Sequence, residues 1–94
     1  MVFATIRVYS GSSELADALV ENEGAVKQVI GDIDGFKAYY LVRTADGAAS
    51  VSVYESQEGA TASDEAASAW VGENLPELNI APPQVSAGEV GIHF

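Results

Sequence analysis

The stretch GFKAYYLVRTADGAASVSVYES, Gly35 to Ser56, decides the fold of this chain. Two runs of alternating side chains flank Asp46-Gly47, and that pattern is a β-hairpin. A type I′ turn needs positive φ at both central residues, which suits Asp-Gly. Centring the turn there pairs Ala45 with Ala48, Val42 with Val51 and Tyr40 with Val53. Those pairs share an apolar face with Ala38. The opposite face pairs Arg43 with Ser50, Leu41 with Ser52 and Tyr39 with Tyr54, and it also carries Lys37. A loop longer by two residues keeps this parity, whereas a slip of one mixes the faces. The second face is too aromatic for a plain solvent surface and too polar for a plain core.

Working outward, Val2–Tyr9 (VFATIRVY) alternates as a strand. Val2, Ala4, Ile6 and Val8 point one way, and Phe3, Thr5, Arg7 and Tyr9 the other. Ser12 or Ser13 is a candidate N-cap for a helix from about Glu14 to Ile30. Its apolar residues, Leu15, Ala18, Leu19, Val26, Val29 and Ile30, suit one helical face. Gly24 predicts a kink or break there. GDIDG ends that helix. After the hairpin, Gln57 to about Leu75 is a second helix, with a stripe of Ala62, Ala66, Ala69, Trp70 and Glu73. Pro76 marks its end, NIAPPQ is a loop, and VSAGEVGIHF, Val85 to Phe94, is a last strand weakened by Gly88 and Gly91.

The order βαββαβ predicts a ferredoxin-like α+β fold over residues 1–94 as a single domain: a four-stranded antiparallel sheet with two helices on one face. The apolar set Val2, Ala4, Ile6, Val8, Ala38, Tyr40, Val42, Val51 and Val53 is expected to meet the helices. The other face, with Arg7, Lys37 and Arg43 among Phe3, Tyr9, Tyr39 and Tyr54, is then left bare.

Composition narrows what such a domain does. The chain has 94 residues, no cysteine, one histidine and a formal charge of −10. A domain of this size buries only roughly 60–65% of its unfolded surface, so self-association is an attractive supplement. The acidic balance disfavours nucleic acid and anionic membranes as partners. No apolar run approaches the roughly 20 residues that span a bilayer. The first residues do not read as a signal peptide, and a cytoplasmic location is the expectation. No thiolate or His-rich metal site is available, no Gly-rich phosphate fingerprint follows a strand, and no serine sits in a nucleophile elbow, so neither metal nor cofactor is expected. His93 is the only conventional proton shuttle, and it lies where chains fray.

The order of elements, with FATIRVY, IDGFKAYYLVR, SVSVYES, AASAWVGENL and VSAGEVGIHF, resembles the dimeric α/β-barrel superfamily, near its antibiotic-biosynthesis-monooxygenase-like members. The resemblance covers nearly the whole chain and is one of pattern, not of a sharp catalytic motif. It implies a homodimer whose sheets build a barrel, and a cleft between sheet and helices in each subunit. Some such proteins oxidise polyphenolic or quinol substrates with O₂ and no metal or flavin, others degrade haem, and many have no known activity. The haem-degrading pattern wants an Asn on the first strand, a Trp on the second helix and a His about ten residues later. Trp70 matches, but Thr5 or Arg7 and Ile80 stand at the other places, so haem degradation is disfavoured.

The expectation is therefore a homodimer with a cavity for a small aromatic ligand. Arg7, Tyr39, Arg43, Tyr54 and Trp70 are the cavity candidates: an arginine to stabilise a phenolate, tyrosines to orient it, and the indole as wall. The rival is a non-catalytic binding or structural dimer, in which these residues are interfacial ion pairs, strand formers and a core anchor.

Overall fold

The computed structural model describes residues 1–94. Along the chain run β1 (Phe3–Ser10), α1 (Glu14–Glu21), α2 (Glu23–Gly31), β2 (Phe36–Thr44), β3 (Gly47–Tyr54), α3 (Gln57–Asn74), a 3₁₀ turn (Pro76–Leu78) and β4 (Gln84–Glu89). The strands form one antiparallel sheet in the order β2-β3-β1-β4. This is the ferredoxin-like α+β arrangement, with the first helical crossover divided in two. The division falls at Asn22, two residues before Gly24. Asn22 leaves helical geometry (φ −106°, ψ 28°), and its Nδ2 donates back to the Ala18 carbonyl at 2.8 Å, closing the end of α1. Gly24 lies in the first turn of α2. No helix is long and apolar enough to cross a membrane.

The hairpin keeps its parity but not its register. Thr44 pairs with Gly47 and Tyr40 with Val51, so the turn residues are Ala45 and Asp46, one position before Asp46-Gly47, and each β2 residue meets a β3 partner two positions earlier than expected. Neither Asp46 nor Gly47 has positive φ. Glycine at 47 has another cause: a Cβ there would collide with the Tyr9 carbonyl oxygen, where β1 and β3 run close. A bulge between Phe36 and Ala38 expels Lys37 from the face expected for it and sets Phe36 opposite Tyr54. The two rings meet edge to face, with centroids 5.8 Å apart. Lys37 instead pairs with Glu55 in solvent at 3.0 Å.

The expected assignment of the two sheet faces is overturned. Thr5, Arg7, Tyr9, Ala48, Ser50, Ser52 and Tyr54 are buried under the helices, while Ile6, Val8, Tyr40 and Val42 are exposed on the opposite side. The mixed face can be the inner one because its polar groups find partners across the sheet–helix junction, so burial leaves few of them unsatisfied. Apolar core fills the gaps between them: Tyr9, Leu15, Ala16, Leu19, Ala48 and Leu75 form one cluster, and Ile30, Tyr54 and Ala60 a second.

Helix α3 starts at Ser56, whose Oγ accepts the Gly59 N–H at 3.2 Å. Its inward stripe runs through Gly59, Ala60 and Ser63, and the expected stripe residues Ala69 and Glu73 are exposed. Alanines fall on several sides of this helix, so composition does not fix its rotation. The last strand stops at Glu89, short of Phe94, and His93 is exposed beyond it.

Candidate functional site

Arg7 organises the inner face. Its guanidinium is 98% buried, and its Nη1 donates to Asp64 Oδ1 at 2.7 Å and to Ser63 Oγ at 3.4 Å. Its Nη2 donates to Ser52 Oγ at 2.9 Å. The Thr5 hydroxyl reaches the same carboxylate at 2.8 and 2.9 Å. One carboxylate from α3 thus receives donors from two residues of β1, which locks helix to sheet. Two buried polar atoms in the chain have no protein partner: Arg7 Nε and Ser50 Oγ. Both residues border the same space.

That space is a cleft with a sheet floor and helical walls. Arg7, Tyr9, Tyr39 and Ser50 form the floor. Leu19, Val26, Val29 and Ile30 from α1 and α2 face Ala67, Trp70 and Val71 from α3. Its inner end leaves only about 20 Å³, room for about one water or one ligand oxygen. A wider recess of about 400 Å³ adjoins it through Leu19, Val26, Ile30 and Tyr39, and opens between α2 and β2 beside Phe36 and Leu41. Together they have the size and apolar character of a small-molecule site.

The phenols in and beside the cleft are held in their neutral form. Burial raises Tyr9 and Tyr39 above the usual 10.0, and the Arg7 charge, which pulls the other way, is the smaller influence. Tyr39 lies near Ser50, but no contact of hydrogen-bond geometry joins the Ser50 hydroxyl to it. Burial likewise raises Tyr54, against weaker opposing influences of Ser63 and Arg7. At neutral pH these groups are hydrogen-bond donors rather than bases.

Among the residues expected at a cavity, Arg7, Tyr39 and Trp70 line the cleft. Arg43 does not; it is exposed and paired with Asp17. Tyr54 is fully buried behind the cleft, and its hydroxyl donates to the Ile30 carbonyl at 2.9 Å. The space lies between the sheet and the helices of one chain, the place that the family resemblance implied for a cleft. Sequence reasoning missed Tyr9, Ser50 and Asp64. Tyr9 and Ser50 share Arg7's parity, a usable signal. Asp64 carried none, because the rotation of α3 was not fixed.

No protein-family model matches the sequence, and no curated protein matches it. Solved structures do match in shape. A monooxygenase from the gene ActVA-Orf6 of Streptomyces coelicolor, in complex with the ligand nanaomycin D, is 21% identical at a TM-score of 0.68, over 99% of this chain and 89% of that one. The fold is shared. A candidate antibiotic biosynthesis monooxygenase from Bordetella bronchiseptica gives 0.71 at 14% identity, over 97% of this chain and 98% of that one. The NE2512 protein of Nitrosomonas europaea, of unknown function, gives 0.67 at 12% identity, over 99% and 91%. The chain therefore has the fold of the antibiotic-biosynthesis-monooxygenase-like proteins, and that fold carries more than one function.

Proposed function

We propose that the chain is a monooxygenase-like protein that binds a small aromatic molecule in the cleft over Arg7, as one half of a homodimer. The observation that carries this reading is the cleft itself: apolar walls including Trp70, with Arg7, Ser50, Tyr9 and Tyr39 on its floor. The complex of the Streptomyces monooxygenase with nanaomycin D supports a small-molecule ligand on this fold. The second copy covers the bare sheet face. Ile6, Val8, Tyr40 and Val42 are each at least 40% exposed there, a contiguous apolar surface unusual on a soluble monomer.

For a polyphenol of the anthrone type, cofactor-independent oxidation would proceed at the CH₂ across the central ring from the carbonyl. O₂ converts CH₂ to C=O, and its second oxygen leaves as water. The chain's task is to favour the substrate anion and exclude bulk water. Arg7, Tyr9 and Tyr39 would donate to the substrate oxygen as charge develops on it. The proton leaves through the outer recess, whose lining includes Glu23, because no carboxylate or histidine lines the inner end.

Oxygen consumption with a panel of anthrones and quinols tests the chemistry. Uptake of one O₂ per anthrone, at a rate lowered about tenfold or more in Tyr39→Phe, is the expected result. One observation favours a second reading, a binding protein without turnover: the Arg7 charge is already held by Asp64 at 2.7 Å, which weakens its support for an anion. Saturable binding with no oxygen uptake across the panel would select that reading.

A further inference from the structure

The floor of the cleft contains a more specific instruction than its walls. Arg7 and Ser50 stand directly opposite each other on β1 and β3, so their side chains rise side by side from one face. Each is 98% buried. Each also keeps one polar atom, Nε and Oγ, without a protein partner, although both other nitrogens of the Arg7 guanidinium have one. Leaving two neighbouring donors unmatched costs stability that an apolar pair would not. Both border the inner end of the cleft, where about 20 Å³ remains.

We propose that this pair is a subsite for one uncharged oxygen of the ligand, and that it selects a carbonyl-bearing aromatic over a hydrocarbon or a carboxylate. The inference rests on the cleft being a ligand site. Three considerations fix the chemistry. A carbonyl oxygen has two lone pairs, matching one N–H from Arg7 and one O–H from Ser50. The neighbouring tips, Tyr9 and Tyr39, are further donors, so an oxygen that only accepts is better served than one that must also donate. A carboxylate is poorly served despite the arginine. The Arg7 charge is balanced by Asp64, so a second carboxylate would enter an almost neutral pair, between apolar walls, in a chain of net charge −10.

Calorimetric titration of the full chain with three bicyclic probes of similar size tests this: α-tetralone, tetralin and tetralin carboxylate. The ketone is expected to bind about tenfold or more tighter than the other two, the ratio of one or two net hydrogen bonds. In Ser50→Ala the ketone should lose about fivefold while tetralin is unchanged, with the melting curve confirming the fold. Equal binding of ketone and hydrocarbon, with no effect of Ser50→Ala, would overturn the subsite while leaving the cleft reading intact; the pair would then hold only a water. Tightest binding of the carboxylate would also overturn it and make Arg7 an anion receptor. Binding of none of the three would overturn the cleft reading and the subsite with it.

Discussion

Asp64 on α3 lies 2.7 Å from Arg7 on β1, and this contact spans 57 positions of sequence. It joins the edge of the helical layer to the centre of the sheet. Removing the carboxylate leaves a buried guanidinium uncompensated and strips the Thr5 hydroxyl of its acceptor. Asp64→Ala should therefore destabilise the chain by about 3 kcal/mol, at the lower end of the range for breaking a buried pair because Asp64 itself is 24% exposed. Urea unfolding measures it; a loss below about 1 kcal/mol would make the pair energetically equivalent to a surface contact.

The serines beside Arg7 should behave oppositely. Ser52 accepts from Arg7 Nη2, so Ser52→Ala should cost about 1–2 kcal/mol. Ser50 Oγ has no protein partner, so Ser50→Ala should be neutral or slightly stabilising in the free protein. Paired melting curves would show the contrast. Equal losses at both positions would mean that Ser50 is a structural hydroxyl.

Tyr54 and Tyr39 should separate stability from binding in the same way. Tyr54→Phe loses the hydrogen bond to Ile30 and should cost about 1 kcal/mol without altering ligand affinity. Tyr39 lines the cleft, so Tyr39→Phe should weaken ligand binding severalfold with little change in the melting temperature. Calorimetry of binding and denaturant unfolding on both variants reads the two effects independently.

The raised tyrosine pKa values fix an alkaline limit. Burial keeps Tyr9, Tyr39 and Tyr54 protonated above the usual 10.0, while the unfolded chain releases those protons near that value. Above it the folded state holds more protons than the unfolded one, so stability falls as pH rises. These three groups contribute little pH dependence below about pH 9, where both states are neutral. Tyrosinate absorbance followed during alkaline titration should lag that of the urea-unfolded chain; coincident curves would contradict the burial.

The exposed sheet face gives a separate expectation. Val42 is 50% exposed and sits among Ile6, Val8 and Tyr40 on that face. Val42→Lys should convert a dimer in solution to a monomer, because a charge there would be desolvated against a second apolar sheet. Sedimentation of the wild type as a monomer at micromolar concentration would remove the basis for the homodimer.

Much of this was legible in the sequence. Element order followed from the Asp-Gly hairpin and its two helical flanks, and the parity of Arg7, Tyr39, Ser50, Ser52 and Tyr54 survived a two-residue error in register because side chains repeat every two residues. Which face turns inward was not legible. Hydrophobicity names the core face only where the other face meets water, and here Ile6, Val8 and Val42 form a second apolar surface. The acid that makes Arg7 tolerable inside lies on a helix rich in alanine, whose rotation the pattern could not set. Tyr9 and Ser50, which complete the floor, needed only the parity of Arg7 to be found.

The most direct test of the account is the emission of Trp70, the single tryptophan of the chain and a wall of the cleft. Titrating wild type and Val26→Phe with an anthrone should give a saturable change at one site per chain in the first. It should give none in the second, because Val26 borders both the inner end and the wider recess and a larger side chain there obstructs both; its melting curve confirms the fold. An emission unchanged up to the solubility limit of the ligand, or an equal change in Val26→Phe, would contradict the assignment of the cleft over Arg7 as the binding site.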